Sequence, residues 1–137
     1  MTAEERHNLA QAARDVARNA YADYSHFRVG AAVLGEHGTY TGVNVENASY
    51  PVGLCAERAA LAAAIGNGER NIRAIAVACI DATTTDVHEL APCGACRQWF
   101  AELAPNAEIV ISGNDFERSF TAEELLPLPF RLKKPAP

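Results

Sequence analysis

The sequence predicts a layered α/β fold built as one domain. Some segments carry apolar residues at helical spacing, while others are continuous apolar runs rich in β-branched residues. The two kinds alternate along the chain, as they do where helices cover a sheet. The chain has 137 residues, a length that suits one hydrophobic core and is short for two.

The first element is a helix. Thr2 and Glu5 form a capping box, and Leu9, Ala12, Ala13, Val16, Ala17 and Ala20 follow at helical spacing until about Tyr21. "FRVGAAVLG" (27–35) reads as a buried strand, "GEHG" as a turn, and "TYTGVNVE" (39–46) as an antiparallel hairpin partner. "NASYPVG" (47–53) is loop, punctuated by Pro51 and Gly53. An Ala-rich helix runs from about Cys55 to Ile65 and stops at "GNGE". "IRAIAVACI" (72–80) reads as a central strand buried on both faces. "DATTTDVHEL" is polar loop. "PCGACRQWFAEL" (92–103) is a third helix, with Trp99, Phe100 and Leu103 on one side. "AEIVIS" (107–112) is a strand, and Thr121 with Glu124 caps a short last helix over 121–127. The order is α-β-β-α-β-α-β-α, with the helix-joined strands parallel in part. The single domain covers 1–137, and residues 131–137 are expected to fray.

Composition narrows the function. Hydrophobic residues make up 49% and charged residues 21%, the balance of a soluble globular protein. No apolar run approaches the roughly 20 residues needed to span a bilayer. The opening "MTAEERHNLAQ" lacks the basic stretch and apolar core of a secretory signal, so a cytoplasmic location is expected. Net charge is -5, and only Arg131, Lys133 and Lys134 cluster, which argues against a nucleic-acid partner.

The cysteines carry the chemistry. In a reducing compartment clustered thiols point to a metal or to catalysis rather than to disulfides. Cys55 opens one helix, and Cys93 and Cys96 open another as P-C-x-x-C. Helix N-termini favour the thiolate, so two such ends can present three sulfurs to one zinc ion. Structural zinc sites are closed by four protein ligands, whereas catalytic sites leave one position for water. His88 and the mid-strand Cys79 are the candidates to check for a fourth ligand. His7, His26 and His37 read as surface or loop residues. Zinc with three thiolates has a formal charge of about -1, so activating water needs a nearby cation. Arg58, one residue after Glu57, is placed to supply it. Glu57 itself is close enough to the thiols to act as a general acid–base without being a ligand.

At this point the residues resemble a family. C-A-E at 55–57 followed by P-C-G-A-C at 92–96 is similar to the zinc-dependent cytidine deaminases. "YSHFRVGAAV" (24–33), "TGVNVENASYPVGLCAERAA" (41–60), "APCGACRQ" (91–98) and "ELLPLPF" (124–130) resemble their small homotetrameric members. The resemblance implies a three-layer α/β/α fold with a mixed five-stranded sheet. It implies one zinc per subunit, with Cys55, Cys93 and Cys96 as ligands and Glu57 as proton shuttle. It further implies that Asn44 and Glu46 hold the ribose 3′-hydroxyl, and that Phe27 packs on the pyrimidine ring. The Ala56 backbone N–H, together with Glu57, would meet the polar edge of the base. Ala48, Tyr50 and Phe130 would reach a neighbouring subunit's pocket.

The implied reaction is hydrolytic deamination of free cytidine and 2′-deoxycytidine, a step of pyrimidine salvage. Four other readings stay open on the sequence. These are a same-fold deaminase of another nucleoside such as blasticidin S, a nucleic-acid editor, a thioredoxin-like redox protein using Cys93 and Cys96, and a structural zinc module. The acidic balance weighs against the editor, and the third thiol and Glu57 are unexplained in a redox protein.

Overall fold

The computed structural model describes all residues, 1–137. Helix α1 (Ala3–Val16) starts at Thr2, whose side chain accepts from the Glu5 N–H while Glu5 reaches back to the Thr2 N–H. A single tight turn over Ala17–Asn19 ends it, a little short of the expected Tyr21. Strands β1 (Val29–Leu34) and β2 (Thr39–Val43) pair antiparallel across the predicted turn. Helix α2 (Ala56–Gly66) follows, then strand β3 (Ala74–Cys79), buried along its whole length. Helix α4 (Gly94–Leu103) and strand β4 (Glu108–Gly113) complete the parallel crossover, with β4 paired parallel to β3.

Three elements were not expected. A four-residue helix α3 (Val87–Leu90), capped by Asp86, lies within the segment read as loop. A tight turn over Tyr50–Val52 lies in the loop before α2. Strand β5 (Phe116–Thr121) is the fifth strand of the sheet and pairs antiparallel to β4. Its sequence, FERSFT, has three polar residues in a row on an exposed edge, so it shows no apolar alternation. Helix α5 (Ala122–Leu125) carries the second capping box.

The sheet order is β2-β1-β3-β4-β5. Alternation along the strands sends two sets of side chains to opposite faces. Ala32, Ala74, Ala76, Ala78 and Val110 face Leu9, Ala10 and Ala13 of α1. The run of alanines lets α1 sit close. A Cβ on Gly30 would lie 2.0 Å from the Ala13 carbonyl oxygen, so glycine is required there. The opposite face, with Val33, Ile75, Val77 and Ile109, packs on α2, α4 and α5 through Leu61, Phe100 and Leu125. A Cβ on Gly42 would lie 2.4 Å from the Ala60 backbone nitrogen, so α2 also approaches closely. The result is three layers, α/β/α, as expected. Phe100 is fully buried at the centre of the larger core, where truncation to alanine costs about 3–5 kcal/mol. No helix is long and apolar enough to cross a membrane.

Candidate metal centre and active site

The α2–α4 side of the sheet brings two helix starts together. Cys55 is the N-cap of α2 and Cys93 the N-cap of α4, both in extended backbone conformation. Neither cap side chain bonds the backbone N–H groups of its own helix. Those first-turn N–H groups have no intrahelical acceptor, and with the helix dipoles they favour negative charge on the sulfurs. Cys96 stands one turn into α4 and is buried. Cys55 Sγ lies 3.8 Å from Cys93 Sγ, and Cys93 Sγ lies 3.7 Å from Cys96 Sγ. All three sulfurs lie within 4.8 Å of one another. A tetrahedral zinc site with metal–sulfur bonds of about 2.3 Å sets neighbouring sulfurs about 3.8 Å apart. The trio therefore fits zinc, both in spacing and in donor chemistry.

No fourth protein ligand joins the cluster. His88 is exposed on α3, its backbone N–H bonded to Asp86. Cys79 is buried elsewhere, 4.0 Å from the Leu90 carbonyl, and burial pushes its thiol up to about 12. His7 pairs with Glu117 and His37 with Glu69. A zinc held by these three cysteines alone would keep its fourth position for water, the arrangement of a catalytic site.

Glu57 and Arg58 surround the thiols. Glu57 is 5% exposed. Burial pushes its carboxyl up to about 7, against the opposing pull of its own backbone N–H and the Cys96 thiol. In the metal-free chain it therefore gains and loses a proton near neutral pH. Arg58 donates from Nη2 to Cys55 Sγ at 3.4 Å. The Cys96 thiol, followed by the Arg58 guanidinium, holds the Cys55 thiol well below its ordinary range. Arg58 Nε is buried with no acceptor. Ala56, fully buried at the first position of α2, has one of the unpaired N–H groups of that helix start.

A cleft of about 550 Å³ opens beside Cys55 and Arg58, lined among others by Tyr24, Ser25, Asn44, Glu46 and Tyr50. Asn44 and Glu46 lie just past the end of β2, and both turn toward the 24–29 segment. Asn44 Nδ2 donates to the Phe27 carbonyl at 2.8 Å, and Asn44 Oδ1 accepts from the Val29 N–H at 2.8 Å. Glu46 Oε1 accepts from the Tyr24 and Ser25 N–H groups, each at 3.0 Å. The Ser25 hydroxyl heads the bonds that hold the Glu46 carboxyl below its ordinary range. Phe27 is half-buried against the Cys79 and Leu90 cluster. Arg28 beside it forms a two-pronged ion pair with Asp81, which holds that carboxyl at about 2.

The three residues expected to face a neighbour are all exposed. Tyr50 borders the cleft of its own chain, Ala48 lies in the loop before it, and Phe130 sits in the C-terminal segment. That segment is anchored by two residues the sequence reading left without a role. Gln98 exchanges two hydrogen bonds with the Phe130 backbone, at 2.8 and 3.1 Å. Arg97 donates to the Pro92 and Leu125 carbonyls at 2.7 and 2.9 Å. Their position directly after Cys96 in the PCGACRQ run was the available signal.

Comparison with known proteins gives the family. A family described as the cytidine and deoxycytidylate deaminase zinc-binding region matches residues 3–112. The chain belongs to this deaminase family. A cytidine deaminase of Halalkalibacterium halodurans is 44% identical over 127 residues, covering 90% of this chain and 92% of that protein. The crystal structure of cytidine deaminase from Burkholderia pseudomallei superposes with a TM-score of 0.82 at 42% identity, covering 95% of this chain and all of that one. A blasticidin-S deaminase of Bacillus cereus is 30% identical over 126 residues, covering 89% of each chain. Membership makes this chain an enzyme of the zinc-dependent deaminase type, with one zinc per subunit held at the Cys55, Cys93 and Cys96 cluster.

Proposed function

We propose that this chain converts free cytidine and 2′-deoxycytidine, with water, to uridine and 2′-deoxyuridine plus ammonia, as a cytoplasmic pyrimidine-salvage enzyme. The observation that carries the proposal is the pairing of a three-cysteine cluster, with no fourth protein ligand, and a buried carboxyl, Glu57, two residues from Cys55. Cys55, Cys93 and Cys96 hold the zinc. Bound zinc supplies the Lewis acidity that makes a water at its open position nucleophilic. Glu57 takes a proton from the attacking water and delivers it to N3 of the base. It then takes the second proton from the hydroxyl now on C4 and gives it to the departing amine, so that C4 is left as a carbonyl and the carboxylate is regenerated. The Ala56 N–H and the Glu57 carboxyl hold the polar edge of the base. Arg58 offsets the thiolate charge, keeping the metal electron-poor enough to act on water.

Asn44 and Glu46 hold the ribose 3′-hydroxyl, and Phe27 packs on the pyrimidine ring. The active form is a homotetramer in which Ala48, Tyr50 and Phe130 reach a neighbour's pocket. Supporting this, Tyr50, Val52, Leu128, Phe130 and Leu132 are each at least 67% exposed, large apolar side chains that a neighbouring subunit would cover.

The test is loss of absorbance on adding cytidine, with and without a zinc chelator, repeated with deoxycytidine and blasticidin S. Turnover of both ordinary nucleosides, stopped by the chelator and restored by zinc, is expected. Turnover of blasticidin S alone would replace the substrate, and chelator-insensitive turnover would remove the metal from the mechanism.

A further inference from the structure

We infer that Ser25 is a positioning residue that locks the sugar-binding and base-stacking parts of the nucleoside site into one unit. This rests on the proposed roles of Asn44, Glu46 and Phe27. The Ser25 hydroxyl donates to Glu46 Oε2 and accepts from the Phe27 N–H at 3.1 Å. Asn44 Nδ2 holds the carbonyl of that same Phe27. Both backbone polar groups of the stacking residue are therefore fixed, one by Asn44 directly and the other by Glu46 through Ser25.

Counting acceptor directions adds to this. A carboxylate has about four lone-pair directions, two on each oxygen. Oε1 of Glu46 is filled by the Tyr24 and Ser25 N–H groups. Oε2 takes only the Ser25 hydroxyl. The one direction left for a sugar hydroxyl lies on Oε2, the oxygen that Ser25 orients. The loop is shaped to allow this. His26, between Ser25 and Phe27, takes a left-handed conformation (φ 58°), and its N–H is held by the Ala22 carbonyl at 2.8 Å. Such a backbone is uncommon for a non-glycine residue and persists where neighbours fix it. Ser25 is exposed in the cleft, so replacing it opens no core.

The experiment is steady-state kinetics of zinc-loaded enzyme on cytidine and on 3′-deoxycytidine, comparing wild type, Ser25→Ala and Ser25→Thr. Ser25→Ala should raise the KM for cytidine about tenfold, with kcat within about threefold, the loss expected for one hydrogen bond to a charged acceptor. On 3′-deoxycytidine, which lacks the hydroxyl that Glu46 holds, the rise should shrink to about twofold. Ser25→Thr, which keeps the hydroxyl, should restore most of the wild-type KM, and zinc content and Tm should not move. An unchanged KM for Ser25→Ala overturns the inference, as does an equal rise on both nucleosides, which would mark a general loosening of the loop. A wild-type enzyme that fails to deaminate cytidine overturns the substrate reading and the inference with it. Active wild type with an indifferent Ser25→Ala overturns the inference alone.

Discussion

Glu57 and Glu69 are both buried, at 5% and 1% exposure, and they meet opposite surroundings. Glu69 lies beneath the β1–β2 turn with every direction occupied. Its Oε1 accepts from the Glu36 N–H at 2.8 Å and contacts the His37 ring, and its Oε2 accepts from the His37 N–H and the Tyr40 hydroxyl, each at 2.9 Å. A Cβ on Gly35 would lie 2.2 Å from its Cδ, so the chain leaves room for it. Burial alone would raise its pKa, but the Tyr40 and His37 bonds outweigh burial and hold it below the ordinary range. No loop N–H reaches the Glu57 carboxyl, and burial wins. Burial therefore does not separate a structural carboxylate from a catalytic one. The donors around it do, because a carboxylate already saturated by its own turn has nothing left for a substrate.

That contrast can be broken in several ways. Apart from substitution of Glu57 itself, the largest expected effect is metal removal. Chelation should lower cytidine turnover by more than about a hundredfold, and stoichiometric zinc should restore it, measured by absorbance against zinc content. In the proposed mechanism Glu57 would have no activated water to work on without the metal. Next is Arg58→Gln, which removes the cation donating to Cys55 and should lower kcat/KM about tenfold to a hundredfold with zinc retained. Glu69→Gln comes third and should leave kcat near wild type while lowering Tm by about 5 °C, read by thermal scan. A large loss of activity in Glu69→Gln with an unchanged Tm would erase the distinction between the two glutamates.

The smallest effects are in the pH dependence of stability, and the two glutamates should differ in sign. Glu69 and Asp81 have folded pKa values below their ordinary 4.5 and 3.8. The unfolded chain then binds more protons, so the stability they contribute is present above those values and is lost as pH falls. Glu57, in zinc-free protein, sits at about 7, above its ordinary 4.5. Here the folded chain binds more protons, so stability falls as pH rises from 4.5 toward 7. Denaturant midpoints across pH should show a flattened acid limb for Glu69→Gln and a lost near-neutral decline for Glu57→Gln.

Much of this was legible in the sequence, for physical reasons. Capping boxes at Thr2 and Thr121 and the apolar periodicity of the first helix are local signals, and the structure places those elements accordingly. The thiol positions predicted two helix starts that converge, and the structure brings the three sulfurs within 4.8 Å of one another. Strand β5 was not legible, since its pairing comes from β4 rather than from its own pattern. The role of Glu69 was equally hidden. Its four partners come from residues 36 to 40, about thirty positions away in sequence, and only folding brings them together. Asn44 and Glu46 fall within the segment 39–46 read as a strand, whereas β2 ends at Val43 and both residues lie past it, gripping the 24–29 segment. Ser25 stood inside a quoted motif with no role, because its coupling of Glu46 to Phe27 depends on the left-handed turn at His26.

The central claim is that Glu57 moves the proton beside a three-thiolate zinc. The most direct measurement is the rate of cytidine deamination by Glu57→Gln protein, with zinc content and nucleoside binding determined on the same sample. The account predicts one zinc per subunit, nucleoside binding close to wild type, and turnover reduced by about ten-thousandfold, the upper end of a lost general acid–base. A Glu57→Gln enzyme that holds its zinc and still deaminates cytidine near the wild-type rate would contradict it.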